Sequence, residues 1–199
     1  MSGLTNQTGA NSGVVGTTVG TTGGGLVHVK TANMPGSDSS GSIFATFNDG
    51  TYNAFHVVMK DIELASDSIE WRMKFTDSGG GAESGNAYWT SLQGYTSGGG
   101  SYNLALQPAT YMRICPNEGN ATGEVFNGMF TLSGMRNTAV FATITGTIGW
   151  NHGSNYIVGA TFHGQYNGNA ATQFHGFVLD TQSGNFAGGS ISVYGYTTS

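Results

Sequence analysis

The stretch SIEWRMKF, residues 68–75, decides how the rest of the chain is read. Ile69, Trp71, Met73 and Phe75 alternate without interruption with Ser68, Glu70, Arg72 and Lys74. A period of two puts the apolar set on one face of an extended segment and the polar set on the other, as in a half-buried antiparallel strand. The same period recurs on both sides. Strands are expected over 26–31, 43–47, 52–64, 88–95, 110–114, 125–132, 139–148, 156–162, 173–179 and 190–196. Between them stand turn formers such as Asn48-Asp49-Gly50, Ser97-Gly98-Gly99-Gly100 and Gln182-Ser183-Gly184-Asn185, residues that tolerate positive φ or bond to their own backbone.

Two irregularities qualify the pattern. Within 52–64 the apolar phase slips from Phe55, Val57 and Met59 to Ile62 and Leu64, which calls for a bulge or corner near Lys60-Asp61. Residues 76–109 mix Gly, Ser and aromatics without regular spacing and are expected to form long loops. Pro108 and Pro116 flank the strand around Tyr111, and no window carries a capped helical pattern, so helix is expected to be minor. Many short strands at intervals of roughly 8–12 residues specify an all-β fold, an antiparallel β-sandwich of jelly-roll type. No repeat of roughly 20–50 residues points to a solenoid or propeller. The expected organisation is an extended Gly/Thr/Ser-rich arm over 1–41, with a short strand near 26–31, and a sandwich domain over 42–199.

Composition narrows the function classes. Of 199 residues 34 are glycine, and only 9% are charged, against about 25% in average soluble domains. The exterior must therefore be polar through hydroxyls and amides, or be covered by partners. Six Lys plus Arg, a net charge of −5 and no basic run exclude a nucleic-acid surface, which needs clustered cations. No apolar run approaches the roughly 18 residues of a membrane span. The start, MSGLTNQTGANSGVV, lacks the cationic and apolar blocks of a secretory signal, so synthesis and initial residence in the cytoplasm of the producing cell are expected. The single Cys115 forbids an intrachain disulfide framework.

Residues 1–25 hold no charged and no aromatic side chain, only Leu4, Val14, Val15 and Val19 among Gly, Thr, Ser and Asn. Such a segment cannot bury enough apolar surface to fold alone. It is either a tail without fixed structure or an arm that orders along another subunit, with those four residues as anchors. The arm is favoured, because freely solvated tails carry more Glu, Lys or Pro.

Catalytic and metal chemistry find little support. His163 and His175 stand twelve positions apart across an expected hairpin and are placed to face each other, but no carboxylate completes a zinc set. His28 and His56 fall on polar strand faces and His152 in a turn. The acids are scattered rather than paired for glycoside hydrolysis. Neither G-x-S-x-G, G-x-x-x-x-G-K-[ST] nor H-E-x-x-H occurs. Cys115, at a strand end, reads as a core or edge thiol. No cofactor is expected. A better physical case exists for partner or sugar contact: Tyr88, Trp89, Tyr95 and Tyr102 stand among Asn, Gln and Ser, a mixture able to stack on a pyranose while bonding its hydroxyls. The same aromatics are equally suited to a sandwich core or a subunit interface.

The carboxy-terminal run Ser183-Gly184-Asn185-Phe186, then Gly188-Gly189-Ser190-Ile191-Ser192-Val193-Tyr194-Gly195, follows the apolar strand Phe177-Val178-Leu179. This pattern resembles one in virion surface proteins of tailed bacteriophages, and Ser12-Gly13-Val14-Val15-Gly16 resembles short segments near their amino termini. The resemblance extends more weakly to Ile69–Phe75 and Gly123–Phe126. It implies a jelly-roll virion component with no catalytic residues: a capsid decoration, or cement, subunit on the capsid exterior. Such a subunit would contact the major capsid protein through its arm and stabilise the shell. A homotrimer is expected from the symmetry of capsid three-fold positions. The alternative is a receptor-binding module of a tail or head fibre that recognises host surface glycans. The chain is short and has no heptad shaft, which favours the compact decoration subunit.

Overall fold

The computed structural model describes residues 25–34, 36, 44–154, 156–169 and 171–196. They form β1 (Leu26–Asn33), β2 (Ala54–Leu64), β3 (Ile69–Thr76), β4 (Tyr88–Thr96), β5 (Ser101–Ala109), β6 (Met112–Glu118), β7 (Phe126–Ser133), β8 (Thr143–His152), β9 (Tyr156–Tyr166), β10 (Gly176–Thr181) and β11 (Phe186–Tyr196). Every pairing between them is antiparallel. The all-β, antiparallel class expected from the alternation is borne out.

The strands make two unequal layers. The large one runs β1-β11-β2-β7-β8-β9-β4-β5 and the small one β6-β3-β10. Their hydrogen-bond ladders meet at one residue pair, Glu118 opposite His152. The two faces that look at each other are apolar. From the small layer Trp71, Met73, Phe75, Met112, Ile114, Phe177 and Leu179 are wholly buried. Across from them lie Phe55, Val57, Phe126, Leu132, Ile144, Val158 and Ile191, equally buried. Trp71 joins the layers directly, its ring 4.5 Å from Phe126 and 5.9 Å from Phe186, both edge-on. Such aromatic contacts add to the hydrophobic gain of burial, about 25 cal/mol per Å² of apolar surface.

The phase slip in β2 is a bulge. Register shifts between Met59 and Ile62, and Asp61 takes φ 51°. The amide of Asp61 donates to Asn127 Oδ1 at 3.0 Å. Strand β11, which closes against β2 on one side and β1 on the other, carries its own irregularity opposite, at Gly188 and Gly189. Ile191 and Val193 beyond it point inward, fully buried. Strand β1, which lies in the stretch expected as arm, is the edge strand of the large layer, paired with β11 from Leu26 to Asn33.

Three local expectations are corrected. Within 76–109 the strand expected at 88–95 forms as β4, but the stretch after it is a second strand rather than a loop: β4 and β5 make a hairpin closed by Thr96–Gly100, where the Thr96 amide donates to Gly100 O at 2.9 Å and Gly99 takes φ 80°. Pro108 fits within β5 because that strand pairs only with β4, so its missing N–H leaves one side of an edge strand unaffected. Pro116 lies inside β6 rather than beside it. No strand forms over 44–47. There Phe44 stacks on Phe177 at 5.3 Å and Phe47 meets Phe55 edge-on at 4.9 Å, while the Phe47 and Asn48 amides both donate to His175 O. These aromatics reach the core from a loop.

The facing bulges generate a test. Gly189 holds φ 98°, and an added methyl would lie 2.5 Å from Asp61 O and 2.6 Å from Ile62 Cα. Gly189→Ala should cost roughly 1–3 kcal/mol, as strained backbone positions do. Its neighbour Gly188, where the nearest atom is Glu63 Oε2 at 3.4 Å, should accept alanine within about 0.5 kcal/mol. Urea denaturation of the two variants beside the native protein measures the difference.

Candidate functional site

The small layer covers one face of the large sheet, and the opposite face looks to solvent. Strand registers arrange its side chains in transverse rows. One row runs His28, Tyr194, His56, Thr131, Thr145, His163, Ser91. The next runs Thr31, Ser192, Val58, Met129, Thr147, Thr161, Gln93, Asn103. Among the described residues on β2, β4, β5, β7, β8 and β9, the charged side chains on this face are Lys60, Asp61 and Glu63, all at or beyond the bulge within β2.

Charge lies instead on the outside of the small layer. Glu70 accepts from Arg72 Nε at 2.6 Å and pairs with Arg113, and Lys74 Nζ donates to Asp180 at 3.0 Å. The Arg72 guanidinium also sits 4.2 Å over the Tyr111 ring. The alternation in 68–75 thus separates core from an ion-paired surface, while the alternation of β8 and β9 separates core from a neutral one.

Hydroxyls on the neutral face are held by local bonds. Thr145 Oγ1 lies 3.2 Å from His163 Nδ1, Ser133 Oγ lies 2.8 Å from Thr143 Oγ1, and Thr161 Oγ1 donates to Gln93 O at 3.2 Å. Over β4, β5, β8 and β9 the face carries an open groove of about 720 Å³, bordered by Gln93, Tyr95, Ser101, Asn103, Thr147 and Thr161. A second depression of about 270 Å³ shares Gln93 and Thr161 and extends to Ser91, Thr145 and His163.

The four candidate contact aromatics separate into two pairs. Trp89 and Tyr95 stand on the solvent face of β4, 43% and 71% exposed. Tyr88 points the other way into the core, where its hydroxyl accepts from the Phe75 amide at 2.9 Å and donates to Glu83 O at 3.2 Å. Burial pushes its phenol far above the ordinary value. Tyr102 is half-buried, edge-on to Trp150 at 5.4 Å, and burial raises its phenol to about 12. Gln93, Asn103, Thr147 and Thr161, which sequence reasoning did not single out, share the groove with Tyr95. The alternation Trp89-x-Ser91-x-Gln93-x-Tyr95 was the available signal. The arm anchors Leu4, Val14, Val15 and Val19 lie outside the described residues.

The histidines do not converge. His163 is on the neutral face of β9, whereas His175 lies between β9 and β10 with its amide bonded to Thr76 O at 2.8 Å, so the two are not cross-strand partners. His152 ends β8 rather than occupying a turn; it stacks on Tyr156 at 4.2 Å, and burial lowers its basicity. Among the described residues no three His, Cys, Asp or Glu side chains group as a metal site. Cys115 is a core thiol whose ionisation burial pushes well up. Comparison with known protein families, with curated proteins and with solved structures finds no match.

One buried acid bears on stability. Glu118, wholly buried where the layers join, accepts from Trp71 Nε1 at 2.8 Å, and its other oxygen has no partner. Burial raises its carboxyl to about 9, opposed in part by the Trp71 bond. The unfolded chain releases this proton near 4.5 and the folded chain keeps it, so rising pH subtracts stability between about 4.5 and about 9. Glu118→Gln removes that term. Its melting temperature should rise relative to the native protein, and by more at pH 8.5 than at pH 5; a difference independent of pH would contradict the assignment.

Proposed function

We propose that the chain is a non-enzymatic structural protein of a phage virion, a capsid decoration or cement subunit on the capsid exterior. In this reading it is made in the host cytoplasm and assembles as a homotrimer. Its uncharged amino-terminal arm, with Leu4, Val14, Val15 and Val19 as anchors, contacts the major capsid protein across neighbouring subunits and stabilises the shell. The supporting observation is the position of β1. It is the edge strand of the large layer, so the uncharged segment before Gly25 joins a folded body at its rim and is attached by continuous backbone to a sheet. The resemblance of the carboxy-terminal strand to phage virion surface proteins points the same way.

A second reading is a receptor-binding or adhesion module that recognises host surface glycans. It draws on Trp89 and Tyr95, two exposed aromatics on the same face of one strand, beside uncharged amides and hydroxyls.

The first reading is tested by deleting residues 2–24, which leaves β1 whole. The truncated protein should keep its circular dichroism spectrum and lose capsid occupancy in a co-sedimentation assay with particles lacking the protein. Unchanged occupancy would contradict attachment through the arm.

A further inference from the structure

Glycines in the strands of the large layer fall into two sets. Those facing the core are required by packing: a methyl on Gly146 would come within 2.6 Å of Phe130 Cα, and one on Gly164 within 2.6 Å of Met112 Sδ. Gly149 and Gly159 face the other way and are direct cross-strand partners, in register with Tyr95. A methyl on Gly159 would meet nothing within 4 Å, and one on Gly149 only Val158 O at an ordinary 3.6 Å. Neither has positive φ. Two adjacent glycines in strand interiors weaken a sheet without any steric need of the fold, and such positions mark the close approach of something from outside.

We infer that the groove above Gly159 is a binding site for a neutral oligosaccharide lying along β4 and β9. This rests on the second, glycan-recognising reading and assigns it a location and a ligand class. The groove's chemistry selects the class. Neither depression is bordered by Asp, Glu, Lys or Arg, and the imidazole of His163 stands only at the far end of the second, which fits an uncharged ligand. The Tyr95 ring provides a flat apolar platform of the kind that stacks on a pyranose. The side chains of Gln93, Asn103 and Thr147 make no hydrogen bond to other described residues and are available to hydroxyls. Depth without side chains at Gly159 lets the sugar ring approach the sheet. The two depressions share Gln93 and Thr161 and continue toward His163, so the site extends beyond one sugar residue. From Tyr95 to Trp89 along β4 is six residues, roughly 20 Å of strand, with a second exposed aromatic at the far end.

The test uses the full chain on an array of bacterial surface glycans and, for any positive, the corresponding soluble oligosaccharides in calorimetry. Binding should favour neutral over anionic glycans, rise with chain length and change little between low and high salt. Gly159→Phe, which fills the groove from a position with free space, and the double variant Gln93→Ala/Asn103→Ala should each weaken it about tenfold or more. Unchanged melting curves establish that the variants fold; if Gly159→Phe does not, the double variant decides. Native-strength binding in the folded variants would overturn the groove assignment and leave the glycan reading standing. Preference for anionic glycans with strong salt dependence would overturn the ligand class. No binding by the native chain across the array would overturn both the site and the reading.

Discussion

Three strands cover eight. That mismatch between the small and large layers is the constraint on which the other features depend. The narrow layer compensates with bulk: Trp71, Met73, Phe75 and Phe177 fill the space over the larger sheet, and Phe44 and Phe47 are drawn in from a loop to extend the cover. The core-facing glycines of the large sheet are set by close neighbours: Gly146 lies against the backbone and Cβ of Phe130, and Gly164 between Ile144 of its own sheet and the Met112 sulfur of the small layer. The same insertion of Trp71 brings its indole N–H to Glu118 and keeps that carboxyl in the core where the ladders meet.

The consequence for function is an asymmetric exterior. Charge is used where it can be paired, on the back of β3, β6 and β10, and is kept off the solvent face of most of the large sheet. A lattice of hydroxyls, amides and imidazoles, with Asp, Glu, Lys and Arg kept to the bulged end of β2, covers most of this face. Contacts made on that face are decided by shape, stacking and hydrogen bonds. Both proposed roles suit this arrangement. In the first the segment before β1 would attach to the shell, and in the second the large sheet's solvent face would take an uncharged ligand.

Much of the fold was legible because burial on one side of a strand imposes a period of two, and β2, β3, β7 and β11 obey it or break it at a bulge that the residues Lys60-Asp61 themselves signal. The hairpin of β4 and β5 was only half legible. Strand β5 does alternate, with Tyr102, Leu104 and Leu106 half-buried between exposed neighbours, but it is an edge strand whose inner face is only partly covered, and Pro108 looks like a breaker until the free side of the edge is known. Tyr88 and Trp89 are adjacent aromatics whose opposite fates depend on strand phase, which composition alone does not supply. The groove was illegible for another reason. It is assembled from β4, β5, β8 and β9, and the pairing of Gly149 with Gly159 exists only in the register between strands distant from β4 in sequence.

A cryo-electron microscopy reconstruction of the intact particle decides the matter. A decoration subunit should lie on the outside of the shell, with residues 1–24 traced across adjoining capsid subunits and the face bearing Tyr95 and Thr161 turned to solvent. A domain seated on the shell through that neutral face, with the amino-terminal segment making no capsid contact, would contradict that role.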